Sequence, residues 1–263
     1  MSIEIKGVII GEGKPKVCVP IVESHDEAIL NKLKEFNELE VDMIELRIDF
    51  AMSRSFYVGE NIHQEDALRN LFLNIAALQI QKPVILTIRT AAEGGEVEID
   101  PKDYFNVYKL AVEANAFDIY DVELALGTNM AIELRTLIHD AGKYMLMSSH
   151  NFDRTPEVDS LMQKFRSMDS LEADIMKVAV MPEDYQDLLN LLSFTVQAKH
   201  EYAQKPIVTM SMSSIGLTSR LVGEQFGSAI TFASVGKASA PGQIDYQELN
   251  QMLDIIHKNI QEA

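Results

Sequence analysis

Residues 43–49 read Met43-Ile44-Glu45-Leu46-Arg47-Ile48-Asp49, so apolar and charged side chains alternate strictly. Successive side chains of a β-strand point to opposite faces, which places the aliphatic residues on one face and the three charged residues on the other. In a closed parallel barrel, the aliphatic face packs on the surrounding helices and the charged face points inward. The stretch therefore predicts a barrel strand that carries charged side chains into the interior.

Similar apolar runs recur along the chain, and stretches with helical spacing lie between them. The eight predicted strands are Val17–Ile21, Met43–Asp49, Val84–Arg89, Asp118–Leu124, Tyr144–His150, Asp174–Val180, Ile207–Met212 and Ile230–Val235. Eight strand-then-helix units predict a (β/α)8 TIM barrel, as a single domain over residues 1–263 with residues 1–16 as an N-terminal β-hairpin. A doubly wound open sheet is the rival, but it usually has a Gly-rich turn after its first strand, which residues 20–24 lack.

Four helix starts are marked by local signals. Ser24 with Glu27 forms a capping-box pattern, Asp100-Pro101 and Thr155-Pro156 pair a capping residue with proline, and Asp245 precedes an amphipathic run. We expect a helix to begin at each of them.

Composition narrows the class of protein. The chain has 23 Lys and Arg against 40 Asp and Glu, a formal charge of −17, which excludes a general nucleic-acid binder and disfavours binding to anionic lipid. No apolar run approaches the roughly 18 residues of a membrane span. The single Cys18 excludes an internal disulfide and a Cys-based zinc site, and it fits a cytoplasmic protein.

Charged side chains recur on the predicted inward faces of the strands, near their carboxyl ends. They are Glu45, Arg47, Asp49, Arg89, Asp121, Glu123, His150 and Lys177. Burying so many charges is unfavourable unless they pair or bind a ligand, and barrel active sites assemble at this end. The alternative for each residue is an internal ion pair, such as Glu45 with Arg47.

Lys177 and His150 are the strongest chemical candidates. Lys177 lies inside an apolar strand, where poor hydration favours the neutral, nucleophilic amine; the alternative is a lysine neutralised by Asp174 or Glu123. His150 ends the preceding strand, where an imidazole can shuttle protons, although a structural role is as plausible for a lone histidine. Glu93, in the loop after the third strand, is placed to hold the imidazole tautomer.

Taken together, the motifs resemble the type I 3-dehydroquinate dehydratase family. The matching segments are Ile44–Asp49, Thr87–Glu96, Ser149–Phe152 with Thr155-Pro156, Asp174–Ala179, Ser219–Leu221 and Ser239–Ile244. The resemblance implies a (β/α)8 barrel, a homodimer, no metal or organic cofactor, and removal of water from 3-dehydroquinate by syn elimination in the shikimate pathway.

The resemblance also implies a role for each matched residue. Lys177 forms an imine with the substrate ketone, His150 is the general base and then the general acid, and Glu93 orients it. Arg220 clamps the substrate carboxylate. The other implied substrate-binding residues are Glu45, Arg47, Arg89, Ser239 and Gln243.

Two positions depart from the pattern of the resemblance. Ser213 stands where a glycine is expected, and Asn151 follows the histidine where aspartate is common. Residues 234–243 are rich in Gly, Ser and Pro, and we expect them to form a lid over bound substrate.

Three other functions stay open at this point. A Mg²⁺-dependent enolising barrel would use the inward carboxylates as ligands, but Arg47 and Arg89 lie among them. A Schiff-base aldolase would share Lys177 without needing Arg220, Ser239 and Gln243 together. A barrel that has lost catalysis and only binds a partner would not need to retain Lys177, His150 and Glu93.

Overall fold

The computed structural model describes residues 2–53, 62–236 and 240–261. A hairpin of β1 (Ile3–Ile5) and β2 (Val8–Ile10) precedes eight parallel strands: β3 (Lys16–Ile21), β4 (Met43–Arg47), β5 (Val84–Thr87), β6 (Ile119–Glu123), β7 (Tyr144–Asn151), β8 (Ile175–Val180), β9 (Ile207–Ser211) and β10 (Ile230–Phe232). The helices are α1 (Asp26–Asn37), α2 (Asp49–Met52), α3 (Ile62–Ala77), α4 (Pro101–Glu113), α5 (Thr128–Asp140), α6 (Val158–Ser170), α7 (Tyr185–Glu201), α8 (Leu217–Leu221), α9 (Gly223–Phe226) and α10 (Tyr246–Gln261). Short 3₁₀ turns cover Ala91–Glu93 and Leu124–Leu126.

The eight strands follow one another around the sheet in chain order, and β10 pairs in parallel with β3, where Ile230 is opposite Lys16. β9 and β10 meet at an isolated bridge between Ile207 and Ser228, next to a hydrogen bond from the Ala229 amide to the Ile207 carbonyl. The first strand therefore pairs with the last, as in a barrel. This confirms the predicted (β/α)8 architecture and excludes the open sheet.

The barrel interior changes from apolar to polar along the strands. The layer near the amino ends is formed by Cys18, Met43, Ile85, Ile119, Leu146, Ile175, Val208 and Ile230, all buried in one cluster. Two residues further along each strand, the corresponding positions are Pro20, Glu45, Thr87, Asp121, Ser148, Lys177, Met210 and Phe232. Since side chains two apart share a face, this second layer faces the same interior, and five of its members are polar or charged.

Two apolar clusters hold this interior in place. The larger one lies between the sheet and the surrounding helices and includes the outward residues Ile44, Leu46 and Ile48 of the sequence from which the fold was predicted. The smaller one includes Ile5 and Ile10 of the hairpin, packed with the first interior layer, so the hairpin covers the amino end of the barrel. In the part of the chain that the structure describes, no helix is long and apolar enough to cross a membrane.

Two of the four predicted helix starts are confirmed. The Asp100 carboxylate accepts from the Lys102 amide ahead of α4, and that of Asp245 accepts from the Gln247 amide ahead of α10. A helix also follows each of the other two signals, but it starts later than predicted and the predicted residue does not cap it. α1 follows His25 without a side-chain cap, and α6 starts beyond Thr155, whose hydroxyl donates to the Met181 carbonyl instead.

Candidate active site

A cavity opens at the carboxyl end of the barrel strands, where the sequence predicts the active site. Its lining residues are Glu45, Arg47, Arg89, Glu93, Gly94, His150, Phe152, Lys177, Ala179, Met210, Met212, Arg220, Phe232, Ala240 and Gln243. Eight of the nine predicted site residues are among them, and Ser239 lies outside the described residues. Their chemical roles remain predictions.

Several lining residues were not singled out from the sequence. Met210 and Phe232 occupy the second interior layer of β9 and β10, and the alternation that predicted Glu45 also points to them. Phe152, Gly94 and Ala240 come from loops, where no periodic pattern exists to mark them.

Lys177 lies on β8 directly opposite Ser148 of β7. The side chain is 5% exposed; its Nζ is 3.1 Å from Asp121 Oδ2 and 3.9 Å from Glu45 Oε1. The nitrogen also lies 4.5 Å from the centre of the Phe232 ring, within the range of a cation–π contact. The lysine is thus ion-paired inside the barrel, but not with the carboxylates considered from the sequence.

Those two carboxylates have other partners. Asp174 lies ahead of β8, where it accepts from the Met145 amide and contacts His139 Nε2 at 2.8 Å. Glu123 binds Arg89 Nη1 at 2.8 Å and the amide and hydroxyl of Thr90. The alternative considered from the sequence, a Lys177 neutralised by Asp174 or Glu123, is therefore not what the structure shows.

His150 and Glu93 form a pair at the mouth of the barrel. Glu93 Oε2 lies 2.9 Å from His150 Nδ1 and accepts from the His150 amide at the same distance. A carboxylate on Nδ1 selects the tautomer that carries its proton there, which leaves the Nε2 lone pair available as a base. The predicted contact between the two residues is confirmed.

The electrostatic environment favours a neutral His150. Burial lowers the pKa of its imidazole well below the usual value, and Arg89, Lys177 and Arg47 lower it further. Burial raises the pKa of Glu93 to about 7, although the positive charge of Arg89 opposes the shift. Above that pH, the pair is a neutral imidazole held by a carboxylate, as a general base requires.

Arg89 connects the carboxylates of the site. Its Nη2 binds Asp121 at 2.8 Å, and its Nη1 binds Glu123 at 2.8 Å and the Ser148 hydroxyl at 3.0 Å. Burial disfavours the charged guanidinium, but Asp121 and Glu123 outweigh this penalty and raise the pKa of Arg89. It therefore stays charged and fixes the two anions.

Arg47 also has a carboxylate partner, but it is not Glu45, the partner considered as an alternative from the sequence. Its Nε and Nη2 bind the two oxygens of Asp49 at 2.8 and 2.7 Å, in the bidentate geometry that suits a guanidinium. Glu45 instead accepts from the Thr87 hydroxyl at 2.8 Å. The alternative of a Glu45–Arg47 ion pair is therefore not what the structure shows. The strand ends at Arg47, and Asp49, the first residue of α2, is the carboxylate that the guanidinium binds.

Arg220 differs from these two arginines. It is 2% exposed, and no carboxylate of the described residues lies within ion-pair distance. It donates to the carbonyls of Phe232 and Pro241, and its buried Nε has no partner. Burial lowers its pKa. A buried cation without a counter-ion beside a cavity is suited to receive an anionic group of a ligand.

Close backbone packing positions the loops around the cavity. A Cβ at Gly95 would lie 1.9 Å from the Arg89 carbonyl oxygen, and one at Gly242 would lie 2.3 Å from that of Ser213. Only glycine permits these approaches. Gly242 therefore brings the end of the predicted lid against the loop after β9; residues 237–239 of that lid lie outside the described residues.

The two departures from the resemblance have structural consequences. Ser213 adopts a left-handed backbone with φ 58°, which explains why glycine is expected there, and its buried hydroxyl has no hydrogen-bond partner. Asn151 Oδ1 accepts from the amides of Asp153 and Arg154, so its side chain closes the turn after His150. An aspartate oxygen would accept the same two hydrogen bonds.

The inward carboxylates do not form a metal site among the described residues, where no group of three or more His, Cys, Asp or Glu is arranged to hold an ion. Asp49, Asp121 and Glu123 instead bind arginine side chains. Cys18 is fully buried, which raises the pKa of its thiol and makes it a poor nucleophile.

Comparison with known proteins gives consistent matches. Residues 17–260 match the family model described as type I 3-dehydroquinase. The 3-dehydroquinate dehydratase of Bacillus subtilis is 40% identical over 255 residues, covering 97% of each chain. That of Enterococcus faecalis is also 40% identical, covering 97% of this chain and 98% of the other.

Solved structures of such enzymes have the same fold. The type I 3-dehydroquinate dehydratase of Clostridium difficile superposes with a TM-score of 0.88 at 35% identity, covering 98% of this chain and 99% of the other. The enzyme of Geobacillus kaustophilus gives a TM-score of 0.90 at 30% identity, covering 98% and 97%.

Proposed function

This chain belongs to the type I 3-dehydroquinase family, and we propose that it converts 3-dehydroquinate to 3-dehydroshikimate through an imine on Lys177. In this role it is a hydro-lyase of the shikimate pathway, acting at the third step of chorismate formation. The observation that carries the proposal is one cavity lined by a buried lysine, a carboxylate-held histidine and a buried arginine that lacks a carboxylate partner among the described residues. These groups are a nucleophile, a base and an anion-binding site.

Lys177 starts the reaction. Its amine adds to the ketone carbon of the substrate, and the ketone oxygen leaves as water, which gives a protonated imine. This cation withdraws electrons from the neighbouring C–H bond far more strongly than the ketone does. The imine therefore supplies the acidity on which the elimination depends.

His150 moves the proton. Its Nε2 removes a proton from the carbon beside the imine, and the electron pair of that C–H bond moves into an enamine. The enamine then expels the hydroxyl group of the next carbon, which takes the proton from His150 and departs as water. One residue acting on the same face in both steps gives syn elimination. Hydrolysis of the product imine returns Lys177.

The remaining site residues hold the substrate. Arg220 binds its carboxylate, and Glu45, Arg47, Arg89, Ser239 and Gln243 contact its hydroxyls or carboxylate. Arg89 is already bonded to three side chains, so its guanidinium is held in a fixed position. Its main contribution is therefore a fixed positive charge at the edge of the cavity. Correct orientation of the ring supplies a large part of the rate in such reactions.

Trapping with borohydride tests the nucleophile. Wild-type protein with 3-dehydroquinate and sodium borohydride should gain a covalent adduct, and peptide mass spectrometry should place it on Lys177. Lys177→Met should lose the adduct and the dehydration. Lys164→Met is the matched control, since Lys164 bonds to Ser149 and does not line the cavity.

The same experiments separate the alternatives. Loss of turnover with EDTA and no adduct would support the Mg²⁺-dependent enolising barrel. An adduct without the ultraviolet absorbance of the conjugated enone product would support a Schiff-base aldolase. If neither the adduct nor the product forms, the result would support a binding protein without catalysis.

We also propose that the enzyme is a homodimer that pairs through α7. Tyr185, Leu189 and Val196 lie on one face of this helix and are 71%, 57% and 49% exposed. The amino end of the helix is acidic, with Asp184 and Asp187, whereas its last turn carries Lys199 and His200 beside Glu201. Two antiparallel copies would place the acidic end of one helix near Lys199 of the other, as a two-fold interface allows.

The oligomeric state tests this surface. Light scattering should show a wild-type dimer and a Leu189→Glu monomer. Ile255→Glu is the control, because Ile255 is 64% exposed on α10 and lies outside the proposed interface. A monomeric wild type, or a dimer that survives Leu189→Glu, would reject the interface.

We further propose a cytoplasmic location. The only cysteine is a buried free thiol, which suits a reducing compartment. Activity recovered in the cytoplasmic fraction of the source cells would support this location, and activity in an exported fraction would reject it.

A further inference from the structure

We propose that Asp121 is the counter-ion of the Lys177 nitrogen during catalysis and keeps the imine protonated. The proposal rests on the proposed function, because it requires that Lys177 form an imine. Asp121 lies on β6, is fully buried, and has Oδ2 3.1 Å from Lys177 Nζ. The next carboxylate, Glu45, is 3.9 Å away.

Hydrogen bonds hold the Asp121 side chain in one position. Its Oδ2 accepts from Arg89 Nη2 at 2.8 Å as well as from Lys177, and its Oδ1 accepts from the Ser148 hydroxyl at 2.5 Å. Both oxygens are therefore occupied before any ligand enters. A buried carboxylate fixed in this way cannot turn from the lysine to another cation without losing these bonds.

The backbone of Asp121 is fixed from the other face of the sheet. Its carbonyl oxygen accepts hydrogen bonds from the hydroxyls of Tyr104 and Tyr108 of α4. The two rings stack on each other with centroids 4.9 Å apart, fully buried. The helix behind the strand thus helps to hold the carboxylate under the Lys177 nitrogen.

The charges around this nitrogen make a counter-ion necessary. The charged and titratable groups of the site and of the strands packed around it are Cys18, Glu45, Arg47, Arg89, Glu93, Asp121, Glu123, His150 and Arg220. Arg47 and Arg89 are cationic side chains, and both repel a further positive charge on the imine. Glu123 and Asp49 bind these arginines and are not paired with the nitrogen. Asp121 binds both Arg89 and the nitrogen, and it is nearer to the nitrogen than Glu45 is.

Asp121 stays ionised in this position. Burial alone would raise the pKa of its carboxyl group, but Arg89, Lys177 and the Ser148 hydroxyl outweigh the burial and lower it. A carboxylate with a lowered pKa is a weak base. Asp121 therefore acts by its charge, and the proton transfers stay with His150.

The test measures the protonation of the imine directly. Sodium cyanoborohydride reduces protonated imines, so the trapping of 3-dehydroshikimate on Lys177 is followed as a function of pH. In the wild type, trapping should be efficient at low pH and should fall to half at a midpoint in the basic range. In Asp121→Asn, which keeps the shape and removes the charge, this midpoint should fall by about 1–3 pH units.

Asp49→Asn is the matched control. Asp49 is also fully buried and paired with an arginine, but it has no contact with Lys177 in the structure, so its midpoint should stay at the wild-type value. An equal shift in both variants, or no shift in Asp121→Asn, would overturn the proposal. A wild type that is neither trapped nor active would instead reject the imine function itself.

A second measurement needs no variant. If circular dichroism shows that Asp121→Asn does not fold, the nitrogen-15 chemical shift of the product imine in lysine-labelled wild-type enzyme is recorded across the active pH range. A protonated imine throughout that range supports the proposal. A neutral imine at the pH of full activity overturns it.

Discussion

Glu93 holds His150 through both its ring and its backbone, because one carboxylate oxygen lies 2.9 Å from Nδ1 and 2.9 Å from the amide nitrogen of the same residue. The backbone contact fixes the strand end, and the ring contact fixes the tautomer. The ionisation of Glu93 therefore controls whether His150 can act as a base.

The first prediction concerns the pH dependence of this pair. Below about pH 7, Glu93 becomes protonated and loses the charge that holds the Nδ1 proton, so kcat should fall on the acid side near that pH. In Glu93→Gln, this fall of kcat should occur at lower pH, because His150, with its lowered pKa, then titrates alone. The maximal rate should drop about a hundredfold.

Initial rates between pH 5 and 9 measure both effects. Glu96→Gln is the control, since Glu96 is an exposed carboxylate in the same loop. An acid limb that stays near pH 7 in Glu93→Gln would assign that ionisation to another group.

The second prediction concerns the carboxylate clamp. Arg220→Lys keeps a positive charge but replaces a planar fork by a single ammonium group, which cannot bind a carboxylate through two parallel hydrogen bonds. We expect KM to rise about 10- to 100-fold, corresponding to roughly 1.5–3 kcal/mol for a charged hydrogen bond, with a smaller change in kcat. Steady-state kinetics measure the changes in KM and in kcat separately. Arg135→Lys, on the surface pair with Glu172, is the control, and equal KM values for all three proteins would argue against the clamp.

The sequence predicts which side chains face the barrel interior more directly than it predicts which of them form ion pairs. Strand alternation places Glu45, Asp121 and Lys177 in the interior, because the period of two is local. Which of these groups touch depends on the stagger between strands of the closed barrel, which no single segment encodes. This is why the alternative of a Lys177 neutralised by Asp174 or Glu123 fails, whereas the closed barrel pairs the lysine with Asp121.

The displaced helix starts have a similar cause. Thr155 carries a good capping signal, but its hydroxyl bonds to the Met181 carbonyl of another loop. A long-range partner of this kind outweighs a local preference of about 1 kcal/mol. The unpaired Arg220 also had no local signature, since its lack of a carboxylate partner is a property of the folded site.

The third prediction concerns the departure at residue 213. Ser213→Gly should remove the strain of the left-handed backbone and a buried hydroxyl without a hydrogen-bond partner. It should also make the unfolded chain more flexible, which opposes this gain in stability. The net effect should be a gain of about 1 kcal/mol in the free energy of unfolding, measured by urea denaturation. Ser214→Gly is the matched control. Ser214 lies next in the loop without a positive φ, so glycine there should reduce stability by about 0.5–1 kcal/mol. A loss of stability in Ser213→Gly would show that its conformation is not strained.

The fourth prediction concerns the approach of Gly95 to Arg89. A methyl group at residue 95 would overlap the Arg89 carbonyl, so Gly95→Ala must displace the backbone on which both Arg89 and Glu93 depend. Overpacking of this kind costs about 1–3 kcal/mol of stability. The displacement of Arg89 in the site should lower kcat/KM as well. Urea denaturation and steady-state kinetics measure the two effects. Ala92→Ser, at an exposed position in the same turn, should leave both near the wild-type values. If Gly95→Ala lost stability but kept full activity, the backbone at Arg89 would not be what positions the site.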